Sequence, residues 1–272
     1  MNDGQQVLRV AAVADLHREV SGTSSYRELF AQAEHEADVL LLCGDLTDYG
    51  LADEARRLAG ELTPVKIPIL AVLGNHDYEA GQQQQIGQIL GDAGVRVLDG
   101  QACEIKGVGF AGTKGFAGGF GVHTLEPWGE ACIKHFVQEA VDEAMKLELA
   151  LSRLRTECRI ALLHYAPVRE TVEGEPLEIY PFLGSSRLEE PLNRYQVRVV
   201  FHGHAHAGAP EAKTREGIPV YNVSLPVLRR VQPTKMPLRV VEVPVRCDDP
   251  SPPTGQGLDP ISLPPRETRR PN

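Results

Sequence analysis

An α/β fold built on a mostly parallel sheet with helices on its faces follows from two features of the sequence. One is a rhythm of apolar strand, polar turn and helix that repeats through the first 93 residues. The other is that each of the first three strands runs straight into a polar cluster: Asp15-Leu16-His17, Gly44-Asp45 and Gly74-Asn75-His76-Asp77. Open sheets of this kind build sites just past the carboxyl ends of their strands. At 272 residues, 42% of them apolar, the chain has material for one large layered domain or two small ones.

The elements follow in order. Residues 7–14 form an apolar strand, 24–37 a helix, 39–43 a second buried strand, 51–62 an amphipathic helix and 67–73 a third strand. A helix at 82–93 precedes short strands at 95–98, 103–106 and 108–112, whose spacing predicts an antiparallel annex. The segment 113–121 is rich in glycine and reads as a mobile loop rather than a core element. The longest helix spans about 129–154, with Ile133, Val137, Ala140, Ala144, Leu147, Leu151 and Leu154 in one seam. That seam is expected to pack on the chain's own sheet, with a coiled-coil partner as the alternative. A strand at 159–163 delivers His164, a loop fills 165–185, and a short helix at 186–195 contains Pro191. The strand 197–201 leads into His202-Gly203-His204-Ala205-His206, and strands at 218–223 and 238–243 close the fold. Residues 1–247 thus make one domain, and 248–272, with seven prolines, a disordered tail.

Composition excludes several functions. No apolar run approaches the roughly 18 residues that span a bilayer, and the N-terminus lacks the basic start and apolar core of a secretory signal, so a cytoplasmic location is expected. A formal charge of −9, without a Lys/Arg-rich stripe, argues against nucleic acid as a partner. It leaves room for a small anionic substrate, because bound cations reverse the local field. Cys43, Cys103, Cys132, Cys158 and Cys247 are scattered without a C-x-x-C pair and read as buried apolar groups.

Six of the nine histidines stand in the strand-end clusters, whereas His35, His123 and His135 do not. Taken singly, each cluster has a plain structural reading: Asp15-x-His17 as a turn, Gly74-Asn75 as a turn, His204 and His206 as an exposed strand edge. Together they bring Asp15, His17, Asp45, Asn75, His164, His204 and His206 to one edge. That mixture of oxygen and imidazole donors suits manganese, iron or zinc rather than a thiolate site.

The order Asp15-x-His17, Gly44-Asp45-x-x-Asp48, Gly74-Asn75-His76-Asp77, His164, Gly203-His204-x-His206 resembles the calcineurin-like metallophosphoesterases over roughly residues 7–243. The resemblance implies a four-layer α-β-β-α sandwich with two central mixed sheets and two metal ions, divalent or mixed-valence. It assigns Asp15, His17, Asp45 and His206 to one ion and Asp45, Asn75, His164 and His204 to the other, with Asp45 bridging. The paired ions neutralise phosphoryl oxygens and acidify a water for in-line attack on phosphorus. His76 is the expected catalytic histidine, donating to the phosphoryl group or the leaving oxygen, and Asp77 is expected to fix its tautomer. Asp48 is either a neighbour of the ligands or a cap for the helix at 51–62, and His202 either a strand residue or a support to the ligands.

Expected substrate contacts are Arg18, which alternatively faces solvent, and Lys114, Phe116 and Phe120 of the loop 113–128, with Trp128 and His123 nearby. The predicted activity is hydrolysis of a small-molecule phosphate ester. A diester is favoured because no arginine cluster compensates a monoester dianion. A phosphomonoesterase or protein phosphatase is the alternative, followed by a noncatalytic metal-binding scaffold. Whether the long seam and final strands are shared in a homo-oligomer stays open.

Overall fold

The computed structural model describes residues 6–20, 25–246 and 254–255. Two six-stranded mixed sheets pack face to face between outer helices. The first consists of β1 (Val7–Val13), β2 (Val39–Cys43), β3 (Ile69–Val72) and β4 (Val95–Val97) in parallel. Beyond β1 lie β11 (Arg239–Pro244) and β12 (Thr254–Gly255), each antiparallel to its neighbour. The second sheet runs in the order β5 (Gln101–Ile105), β6 (Val108–Gly112), β7 (Arg159–Leu162), β8 (Val199–His202), β10 (Pro219–Asn222) and β9 (Glu211–Lys213). Its four inner strands are parallel and its two edges antiparallel.

Alternation of side chains explains the layers. Ile160, Leu162, Val199 and Phe201 point into the core shared with Leu41 and Val72 of the first sheet. Ala161, Leu163 and Val200 point the other way, under α4 (Ala131–Arg153). Burial on both faces is why these strands read as unbroken apolar runs. Helices α1 (Arg27–Glu36), α2 (Ala52–Leu62) and α3 (Gln83–Asp92) accompany the first sheet, and α4 and α6 (Glu189–Arg194) the second. The four-layer α-β-β-α sandwich is the architecture observed.

Several local expectations are corrected. The annex does not exist as a unit: β4 closes the first sheet in parallel, whereas β5 and β6 open the second. The seam of α4 does pack on its own sheet, as expected, through Leu147, Ala150 and Leu151. β9, α5 (Tyr180–Leu183) and α7 (Leu225–Val231) were not predicted. Cys43, Cys103 and Cys158 are buried as expected, but Cys132 is exposed near the start of α4. Cys247 and the tail, apart from 254–255, lie outside the described residues. No described helix is long and apolar enough to cross a membrane.

Candidate metal centre

The polar clusters meet where β1, β2 and β3 of one sheet and β7 and β8 of the other end together. Asp15, His17, Asp45 and His204 all adopt left-handed backbone, with φ of 59°, 42°, 48° and 70°. For residues with a Cβ this costs about 1 kcal/mol each, and cross-bracing holds it in place. The amides of Asp15, His17 and Arg18 donate to the carbonyls of Gly44, Asp45 and Leu46 at 2.9, 3.0 and 3.0 Å, so consecutive strand ends are tied turn to turn. Two glycines permit the approach. A Cβ on Gly74 would lie 2.1 Å from Asp45 Oδ1, and one on Gly44 would lie 2.3 Å from His164 Nδ1.

Donor atoms gather in three overlapping sets, each within 4.8 Å: Asp15, His17 and His206; His17, Asp45 and His76; Asp45, His164 and His204. Asp45 belongs to two of them. His164 Nδ1 donates to the Cys43 carbonyl at 3.0 Å, because a carbonyl can only accept. Its Nε2 therefore turns to Asn75 Oδ1 at 2.9 Å and Asp45 Oδ1 at 3.4 Å. His204 Nε2 likewise donates to the Phe182 carbonyl at 3.2 Å, leaving Nδ1 as its lone-pair nitrogen. His206 Nε2 faces Asp15 Oδ1 at 3.0 Å. His17 stands edge-on to His76 and His206, with ring centres 4.5 and 5.3 Å away.

Burial and charge oppose each other across this cluster. Burial alone would lower His164, but the Asp45 carboxylate outweighs it and holds the imidazole up to about 9. Burial also works against ionisation of Asp45, yet His164 and the His76 amide keep its carboxyl well below the usual range. Burial lowers His17, partly offset by Asp45 and Asp15. Burial next to His164 lowers His204 to about 4. The hydrogen bond to Asp15 raises His206.

Cations fit this donor set. Metal bonds of about 2.1 Å place neighbouring ligand atoms about 3–3.5 Å apart, close to the 2.9, 3.0 and 3.4 Å separations seen here. Both ring nitrogens of His17 are buried without a hydrogen bond among the described residues. An imidazole stripped of water on both nitrogens beside two carboxylates is costly unless an ion takes a lone pair.

The neighbouring predictions divide. His76 joins the cluster, but its Nδ1 donates to the Asp48 backbone carbonyl at 2.6 Å, not to Asp77. Asp77 is fully buried and spends its carboxylate on the amides of Leu46, Thr47 and Gly74 and on the Thr47 hydroxyl. Burial, aided by Asp45, pushes it up to about 6, while those donors pull it back. It welds the turns after β2 and β3 together. The Asp48 carboxylate lies 3.3 Å from His17 Nδ1. The start of α2 is served by Glu54, which accepts from the amides of Tyr49 and Leu51. His202 is fully buried, bonded to Thr171 Oγ1 and the Gly203 carbonyl at 2.8 Å, and burial lowers it to about 4.

The expected substrate contacts do not line the cluster. Arg18 is neither at a rim nor on the surface: it is buried and paired with Glu61 at 2.6 Å. Lys114 is buried among the rings of Phe116, Tyr165 and Tyr78, at 4.8, 5.3 and 5.4 Å, and donates to the Gly115 carbonyl. Phe116 packs on Phe136 and Tyr165, and Phe120 sits in a small core with Ala166, Val172, Leu183 and Ala205. Thr113, Lys114, Ala117 and Phe120 are buried, so this part of the chain is core and not an exposed lid.

Sequence reasoning missed Glu143. Its buried carboxylate takes Thr113 Oγ1 at 2.5 Å, the Gly115 amide at 2.8 Å and Lys146 Nζ at 2.7 Å. The clamped segment then offers the Lys114 carbonyl to the amides of His164 and Tyr165. A carboxylate between Ala140 and Leu147 on an apolar seam was the available signal. Tyr165, 4.4 Å from the His204 ring, opens the loop that directly follows His164, and that position was its signal.

Comparison with known proteins agrees with this geometry. The structure superposes on a phosphopantetheinyl hydrolase from Mycobacterium tuberculosis with a TM-score of 0.62 and 16% identity, covering 89% of this chain and 96% of that one. A Thermus thermophilus protein gives 0.56 and 12%, covering 93% and 100%. At such identities these show the shared fold. A search of curated proteins finds no match. A family model for calcineurin-like phosphoesterases matches residues 8–208, which include Asp15, Asp45, Asn75, His164, His204 and His206. With the fold, the strand-end cluster and that match in agreement, the chain belongs to the calcineurin-like phosphoesterase family.

Proposed function

We propose that the protein hydrolyses a small phosphodiester with two metal ions, held by Asp15, His17, Asp45 and His206 on one side and Asp45, Asn75, His164 and His204 on the other. The observation that carries this reading is Asp45, whose carboxylate is shared between two donor sets. Manganese or iron, with zinc as the alternative, suits the nitrogen-rich donors. When bound, the ions supply charge neutralisation of the phosphoryl oxygens and a water acidified for attack.

The chain supplies orientation and a proton. With Nδ1 committed to the Asp48 carbonyl, His76 presents Nε2, which donates to the phosphoryl oxygen or protonates the leaving alkoxide. Asp77 acts as a positioning residue, joining the turns that carry Asp45 and Asn75. Diester specificity is supported by the commitment of nearby cations: Arg18 to Glu61, Lys114 to its aromatic surround, and Arg230 to the carbonyls of His206 and Gly208. None is left to balance the second charge of a monoester. The buried thiols of Cys43 and Cys103 suit a reducing compartment, so the cytoplasm is the proposed location.

A matched pair of aryl phosphates tests the specificity. The manganese-loaded protein is expected to show higher kcat/KM for the diester than for the monoester. A preference for the monoester would shift the assignment to a phosphomonoesterase.

A further inference from the structure

A cleft of about 830 Å³ opens on the second-sheet side of the molecule, and none of the metal-centre residues lines it. Its walls are the segments at 119–123, 168–170 and 177–181 together with residues 213–215. Phe120, one of its lining residues, belongs to the small core with Ala166, Val172, Leu183 and Ala205. The cleft and the three donor sets share no residue.

Two kinds of side chain face it. Val122 and Leu177 are 95% and 68% exposed, although both are large apolar groups. Tyr180 adds an aromatic wall, with the Arg169 guanidinium 5.7 Å from its ring. Lys213 and Arg215 complete a set of three cations, none in an ion pair among the described residues. Glu170 and Glu189 also line the cleft, and Glu189 accepts the backbone amide of Arg215. In a chain of net charge −9, three cations without ion pairs among the described residues that line one cleft with exposed aliphatic groups are complementary to a ligand with an anionic head and an apolar body. Neither a bare phosphate nor a neutral hydrocarbon would use both halves.

We propose that this cleft binds a small anionic amphiphile, its phosphate or carboxylate head against Arg169, Lys213 and Arg215 and its apolar body along Val122, Leu177 and Tyr180. The proposal stands apart from hydrolysis, because binding is read without turnover.

Calorimetry on the metal-loaded full chain, with Asp45→Asn run in parallel to remove the metal centre, tests it with octyl phosphate, methyl phosphate and octyl glucoside as probes. Octyl phosphate is expected to bind roughly tenfold or more tightly than either control, since it alone gains both charge-assisted hydrogen bonds and apolar burial. The exposed double variant Arg169→Ala/Arg215→Ala should weaken it roughly tenfold, and Leu177→Ser roughly fivefold, while Asp45→Asn leaves it unchanged. Equal affinity for the three probes overturns the proposal. So does undiminished binding to the arginine double variant, or loss of binding in Asp45→Asn, which would place the ligand on the metals.

Discussion

The two sheets build the candidate metal centre by different means. The first supplies both aspartates, Asp15 and Asp45, from turns after parallel strands, with strained backbone braced amide to carbonyl. The second supplies imidazoles whose tautomers are set by backbone carbonyls: His164 by Cys43 and His204 by Phe182. The carbonyl that orients His164 lies on β2, so the two halves are interlocked. Carboxylates come from one half and carbonyl-oriented imidazoles from the other, and loss of a residue should differ accordingly.

Asp45→Asn should have the largest effect. It removes the carboxylate common to two donor sets, so both ions and about 10³-fold or more of activity should be lost. In His204→Ala one ion should remain, as counted by elemental analysis of the dialysed protein. Loss of both ions in each variant would erase the proposed difference between the halves. His76→Gln should lower kcat by about 10²–10⁴-fold with the metal content unchanged. A fall in bound metal would instead make His76 a ligand, in keeping with its place beside His17 and Asp45.

Smaller effects separate the supports of the two halves. Glu143→Gln loosens the clamp that presents the Lys114 carbonyl to His164, with no direct contact to the first sheet's ligands. Denaturant unfolding should show a loss of about 2 kcal/mol. No change would mean that the segment 113–121 holds itself. At the far end of the sheets, Asp38 joins Arg9 to Lys106. Burial works against its ionisation, but the Arg9 amide and the Lys106 ammonium outweigh it and hold the carboxyl at about 2, below the unfolded 3.8. Its contribution, about 1 kcal/mol or less after solvent screening, is complete above pH 3.8 and fades as pH falls through about 2. The stability difference between wild type and Asp38→Asn should shrink across that window.

The same division explains what the sequence made legible. In the first half, strand, ligand turn and helix succeed one another within a few residues, so local pattern placed Asp15, Asp45 and Asn75 at strand ends. In the second half, decisive partners are distant in sequence. Nothing near Thr113 announces Glu143, 30 residues on, so a glycine-rich segment read as mobile when it is buried and clamped. Arg18 fails similarly: its partner Glu61 lies 43 residues away, and an arginine beside a ligand looks exposed until that pairing is seen. β4, three residues long, carries no signal of its direction or of the sheet it joins. The expectation that Asp77 fixes His76 came from the family resemblance, whereas the turn geometry aims that carboxylate at amides on either side.

The most direct test of the account is to count the ions bound per chain while measuring metal-dependent hydrolysis of an aryl phosphate diester on the same preparation. The account predicts two ions per chain and turnover that disappears on chelation and returns when metal is restored. Two bound ions with no hydrolysis of either the diester or its monoester counterpart would contradict it.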